Sequence, residues 1–98
     1  MVAYVIAERL AQSDPSVFVA YGPLAAASIA KYRGRYLAKT PEVLRLEGEA
    51  PAPLAMAVLE FPSVAHARAW FESEDYQAAA RIRRGGAENR FVLIEGVD

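Results

Sequence analysis

Apolar residues fall along the chain in two rhythms, short continuous runs and stripes spaced by three and four. Residues 2–9 (VAYVIAER) are apolar and rich in β-formers, which predicts a first strand. "SDPS" then opens a helix, with Asp14 as N-cap and Pro15 in the first turn, where its missing N–H costs nothing. Phe18, Tyr21, Ala25, Ile29 and Tyr32 form the buried stripe of that helix. Pro23 cannot donate to the carbonyl of Val19 and clashes with it, so Gly22-Pro23 predicts a kink or two pieces. Gly34 ends the helix, and "GRYLAKT" (34–40) reads as a second strand. Pro41 suits an edge strand or a bulge, after which "EVLRLE" (42–47) would continue the strand. "GEAPAP" is a loop. "LAMAVLEF" (54–61) is a third strand, apolar enough to be covered on both faces.

Pro62 closes that strand and Ser63 caps the next helix, whose Val64, Ala67, Trp70 and Phe71 share a face. Ser73 caps a second helical segment, with Glu74 and Asp75 at the positive end of its dipole. Tyr76, Ala79, Ala80 and Arg83 lie on one side of it, Gly85-Gly86 ends it, and "NRFVLIEG" (89–96) is a fourth strand. The order β-α-β-β-α-β predicts one α+β domain over residues 1–98, ferredoxin-like, with an antiparallel four-stranded sheet and helices on one face. If Ala57, Leu59 and Phe61 face the helices, Met56, Val58 and Glu60 face away. Tyr4, Ile6 and Glu8, then Arg35, Leu37 and Lys39, then Arg90, Val92 and Ile94 join them. So apolar a face predicts a homodimer through the sheet, since monomers rarely leave such a patch open.

Composition narrows the classes. The chain is 54% hydrophobic with net charge −1, so there is no basic field for nucleic acid. It has no cysteine, which removes disulfides, thiolate nucleophiles and cysteine-based metal sites. The first ten residues lack the charged and apolar regions of a signal peptide, and no run is long enough to span a membrane. The expectation is a cytoplasmic protein.

Candidate chemistry is sparse. His66 is the single histidine, placed in a first helical turn as an ordinary exposed residue, and it has no partners for a haem or metal site. Trp70, Phe71 and Tyr76 read as core filling between a short broken helix and the sheet, or as the wall of a ligand pocket with the Tyr76 hydroxyl as its polar handle. Tyr76 and Arg83 lie seven apart on one helix face, and Glu60 ends the strand before that region. Together they would orient a small acid or carbonyl, or stitch a dimer as a structural ion pair. Trp70, Tyr76 and Arg83 are therefore the pocket candidates, and Tyr76, Arg83 and Glu60 the catalytic ones. Glu8, Arg9, Arg35, Arg90 and Glu95 read as a solvated rim or as interfacial pairs. Arg81, Arg83 and Arg84 suit a helix C-terminus. There is no Ser-His-Asp set, P-loop or dinucleotide glycine fingerprint.

"AYVI" (3–6), "GRYL" (34–37), "LEFPS" (59–63), "ARAWFES" (67–73), "YQAA" (76–79), Arg83 and "FVLIEG" (91–96) together resemble the bacterial family called domain of unknown function 1330. The resemblance covers nearly the whole chain in order. It implies the dimeric α/β-barrel superfamily, a ferredoxin-like fold paired through its sheets. It implies no reaction, since relatives of that fold include cofactor-free monooxygenases, isomerases, haem proteins and stress-response proteins. The chain departs from the family at "AKTPEV", where members carry a glycine pair after "YL", and at Arg33-Gly34, where they often carry two glycines. Three classes follow. One is a cofactor-independent enzyme on a small organic acid or aromatic, another a non-catalytic binder of such a molecule, and the last a structural dimer without a ligand.

Overall fold

Seven elements follow in order: β1 (Ala3–Gln12), α1 (Val17–Lys31), β2 (Arg35–Thr40), β3 (Ala55–Phe61), α2 (Val64–Glu72), α3 (Glu74–Arg84) and β4 (Ala87–Glu95). The structure, a computed structural model, describes residues 1–97. The strands form one antiparallel sheet in the order β2-β3-β1-β4, the ferredoxin-like arrangement. β2 and β4 are free edges, so a single chain leaves the sheet open and closes no barrel.

The two helical segments after β3 are set by their caps. Ser63 Oγ accepts from the His66 amide at 3.1 Å, and Ser73 Oγ accepts from the Tyr76 amide at 3.1 Å. Ser73 also donates to the Trp70 carbonyl at 2.6 Å, so one serine ends α2 and starts α3. Such caps are worth about 1 kcal/mol each. They place Trp70 and Tyr76 on the same inward side, against Leu59, Phe61, Ala3 and Val5 of the sheet and Ala25 and Ile29 of α1. Trp70 and Tyr76 are fully buried with ring centroids 4.2 Å apart.

Register follows the alternation. Leu59 and Phe61 are buried, and Val58 stands opposite Ile6, Glu60 opposite Tyr4 and Met56 opposite Glu8 on the uncovered face. β4 adds Val92 opposite Ile6, Ile94 opposite Tyr4 and Arg90 opposite Glu8.

Several expectations need correction. A register shift between Tyr36 and Ala38 makes Leu37 a bulge. From there Ala38 and Thr40, paired with Val58 and Met56, share the open face, while Lys39, paired with Ala57, turns to the helix face. An extra residue on one strand reverses the phase of all that follow it. "EVLRLE" is not a strand, because residues 41–54 form an irregular arm. Pro41 removes a ladder donor and the bulged edge ends there. Leu44 and Leu46 on this arm are 84% and 96% exposed. α1 is one helix despite Pro23. Its regular bonds begin at Val17, and Asp14 contributes a turn before it. The Asp14 carboxylate accepts from the Ser16 hydroxyl at 2.6 Å and from its amide at 3.1 Å. His66 is half-buried, its Nδ1 2.8 Å from Ser63 Oγ. No helix among the described residues is long and apolar enough to cross a membrane.

Candidate functional site

α1 does not lie flat on the sheet along its whole length. Where it passes over β2 and β3 it leaves a cleft of about 340 Å³. The sheet supplies the floor through Ala7, Ala57 and Leu59, and α1 supplies Phe18, Tyr21 and Ile29. Gly22 has no side chain to fill the gap, and an added Cβ there would meet nothing within 4 Å. Trp70 closes the inner end, and Tyr36 and Lys39 of the bulged edge form one side. A mostly apolar concavity of this size with a few placed polar groups has the form of a small-molecule site.

The polar groups are unevenly distributed. Arg9 continues the helix-face series of Ala3, Val5 and Ala7, and its opposite number on β4 is Asn89. Both line the cleft. The Arg9 guanidinium stacks over the Phe18 ring at 3.6 Å and donates from Nη1 to Gln12 Oε1 at 3.3 Å. Its Nε and the Asn89 Oδ1 are buried without a hydrogen-bond partner. Burial pushes the Arg9 pKa below its ordinary value, with the Tyr21 phenol opposing. Lys39 Nζ lies 4.9 Å from the Tyr36 ring centre. Among the described residues the cleft has cationic groups in its wall but neither a carboxylate nor an imidazole.

Tyr21 connects the cleft to a buried network. Its hydroxyl is 2.8 Å from the Tyr76 hydroxyl, which accepts from Arg83 Nη2 at 3.4 Å. Arg83 is buried between the Tyr21 and Phe91 rings, 5.6 and 4.8 Å from their centres. Burial pushes the Tyr21 phenol far above the ordinary tyrosine range, reinforced by Tyr76 and opposed by Arg83. Tyr36 rises too, chiefly through burial and then through Tyr76. At neutral pH Tyr21 is therefore a neutral hydrogen-bonding group, not a base. Behind it, Trp70 Nε1 donates to Ser28 Oγ at 3.0 Å, and Ser28 donates to the Ala25 carbonyl at 2.8 Å.

Of the residues singled out in the sequence, Trp70 lines the cleft, while Tyr76 and Arg83 meet one layer behind it, beyond Tyr21. Glu60 stands on the other face of the sheet, where its carboxylate accepts from Arg35 Nε at 3.0 Å. It is not brought to Tyr76 and Arg83. Arg9, expected in a solvated rim, is instead a cleft residue. Its signal was legible in its phase, since an arginine two positions after Ala7 falls on the covered face. The same phase puts Asn89, two positions before Phe91, on that face, whereas Ser28 carried no comparable signal. Among the described residues no three acidic or histidine side chains stand together to hold a metal ion.

A family model described as a domain of unknown function (DUF1330) matches residues 2–97. Comparison with curated proteins finds no match. Among solved structures, a protein of unknown function from Rhodopseudomonas palustris superposes with a TM-score of 0.77 at 17% identity, covering 99% of this chain and 83% of that one. A dimeric ferredoxin-like protein of unknown function from Jannaschia has a TM-score of 0.72 at 10% identity, covering 98% and 100%. SnoaB, a cofactor-independent oxygenase from Streptomyces nogalater, has a TM-score of 0.63 at 16% identity, covering 99% and 93%. At these identities the likeness is one of fold.

Proposed function

The chain belongs to the DUF1330 family of domains of unknown function, and from its geometry we infer that it is a small-molecule protein that binds a largely apolar organic ligand in the α1–sheet cleft. The observation that carries this reading is the gap of about 340 Å³ beside the packed rings of Trp70, Tyr76 and Phe61. Without a carboxylate or imidazole in the described wall, the side chains offer apolar contact, hydrogen bonds and positive charge. That set holds and orients a ligand, and it supplies no base of ordinary strength. A thermal-shift screen of small aromatic acids, phenols and neutral aromatics tests this, because a ligand that prefers the native state raises Tm. Ala57→Phe, which fills the cleft floor, is expected to stay folded and to abolish every shift. Shifts that survive Ala57→Phe, or a screen without any shift, would overturn the reading.

A second reading, turnover without a cofactor, is supported by the Tyr21–Tyr76–Arg83 chain. A neutral phenol backed by a buried guanidinium stabilises negative charge developing on a bound ligand. The shared fold with SnoaB is compatible with that chemistry. Tyr76→Phe would then remove turnover while leaving binding within about threefold.

We also place two copies of the chain face to face through the open sheet. Support comes from the continuous row Ala38–Val58–Ile6–Val92, flanked by Tyr4, Ile94 and Met56. Opposite charges stand across neighbouring strands at the ends, Glu60 by Arg35 and Glu8 by Arg90. The exposed Leu44 and Leu46 add apolar surface on the arm, and the Jannaschia relative in fold is described as dimeric. Light scattering should return a two-copy mass that Val58→Asp reduces to one. A single-copy mass for the unmodified chain would end this part of the proposal. A cysteine-free chain suits a reducing compartment, and we assign the cytoplasm.

A further inference from the structure

The cleft has a chemically lopsided end. Arg9 and Asn89 are directly opposed on neighbouring strands, which puts their side chains side by side on the floor. Arg9 Nε presents an unused donor and Asn89 Oδ1 an unused acceptor, and both are sealed from water. Native proteins pair such atoms almost without exception, because each unpaired one carries its full desolvation penalty. Here they coincide with a cavity wall. No described carboxylate forms an ion pair with Arg9, whose charge is held only by an aromatic ring and an amide oxygen.

Resting on the cleft as the ligand site, we propose that it takes an organic anion with an aromatic or apolar body and a hydroxyl on the carbon beside its carboxylate, a 2-hydroxy acid. The carboxylate sits on the Nε edge of Arg9, where charge-assisted bonding replaces the missing counter-ion. The neighbouring hydroxyl donates to Asn89 Oδ1. A small rotation of the two end groups brings the atoms to the ligand, and both then recover their hydrogen bonds. The body of the ligand lies between Phe18 and the sheet floor of Ala7 and Ala57. Discrimination follows from what is left unpaired. An acid without the hydroxyl strands the Asn89 oxygen, and a neutral amide forfeits the charge on Arg9.

Calorimetric titration of the full chain with three probes tests this: mandelate as each enantiomer, phenylacetate, which lacks the hydroxyl, and mandelamide, which lacks the charge. One mandelate enantiomer should bind about tenfold tighter than phenylacetate and at least tenfold tighter than mandelamide. Asn89→Leu should erase the preference for mandelate over phenylacetate while keeping the preference for acid over amide. Arg9→Gln should do the reverse. If Arg9→Gln does not fold, the ranking of the probes on the unmodified protein decides alone. Equal binding of mandelamide and mandelate, or a hydroxyl preference that survives Asn89→Leu, overturns the assignment. In that outcome neutral aromatics that still shift cleft resonances, and lose that shift in Ala57→Phe, leave the cleft itself standing. If no acid and no neutral aromatic perturbs those resonances, the site and the anion assignment fall together.

Discussion

The two halves of the helix–sheet interface use the same materials to opposite ends. Under α2 and α3, Trp70, Tyr76 and Phe61 are each no more than 1% exposed and stack against one another, with Trp70 and Phe61 ring centres 5.2 Å apart. Under α1, Phe18 and Tyr21 also face the sheet, yet they border a cleft. Aromatic content does not separate the halves. Spacing does. Two serine caps pull short helices inward on one side, while on the other a fifteen-residue helix carries Gly22 and Pro23 where it passes the sheet. A solid core and a binding site are thus alternative ways of finishing the same layer.

The strongest way to break the contrast is Trp70→Ala. On the filled side it should remove about 3–5 kcal/mol, as large aromatic truncations do, read from the denaturant midpoint at constant m. A loss below about 1 kcal/mol would mean that the filled half is not filled. The same substitution at two glycines should then have opposite signs. In Gly34→Ala the new Cβ would lie 2.5 Å from the Phe61 ring, which has nowhere to move, and a cost of about 1–3 kcal/mol is expected. In Gly22→Ala the new methyl meets open space inside a helix, and stability should rise by about 0.5–1 kcal/mol through helix propensity. Equal effects at Gly34 and Gly22 would erase the distinction.

The smallest effect is on pH dependence and belongs to Tyr21, at the boundary of the two halves. Its folded pKa lies above the value of 10.0 for an exposed tyrosine. Stability is therefore complete below pH 10 and is lost as pH rises above it, where the unfolded chain releases a proton that the native one keeps. Tyr21→Phe should cost about 1 kcal/mol at neutral pH by leaving the Tyr76 hydroxyl one partner fewer. Above pH 10 it should flatten the decline. The remaining slope comes from Tyr36 and from Lys31, whose pKa is raised by its hydrogen bond to Asp75. Thermal unfolding between pH 8 and 11 measures both.

The elements of this fold were legible because local chemistry and global pattern agree. Ser63 and Ser73 cap where they should, Leu59 and Phe61 alternate inward, and the strand expected over 89–96 runs from Ala87 to Glu95. The misreadings have separate causes. Pro23 was read as a break, although it costs a helix one donor and need not end it when both flanks bury apolar residues. Pro41 was read as a pause in a strand that in fact stops there. The side-chain phase past Tyr36 was hidden because a bulge leaves no composition signal. Among the site candidates, Trp70 was read on the first helical segment and Tyr76 with Arg83 on the second, and only Trp70 lines the cleft, while Glu60 was assigned by nearness in sequence, which ignores the face a strand residue takes. Arg9 was set in a rim, although strand phase already placed it on the covered side. Tyr21 was seen only as part of a core stripe, because the sequence does not reveal where a core leaves a gap.

The bulge at Leu37 has a consequence for how this site can diversify. One surplus residue decides whether an ammonium group or a methyl-sized side chain looks into the cavity. Flattening the bulge, so that Leu37 paired with Val58, would set Ala38 opposite Ala57 and send Lys39 outward, without altering any letter of the chain. The charge at the entrance therefore follows how one edge strand pairs, and the rest of the scaffold need not change with it.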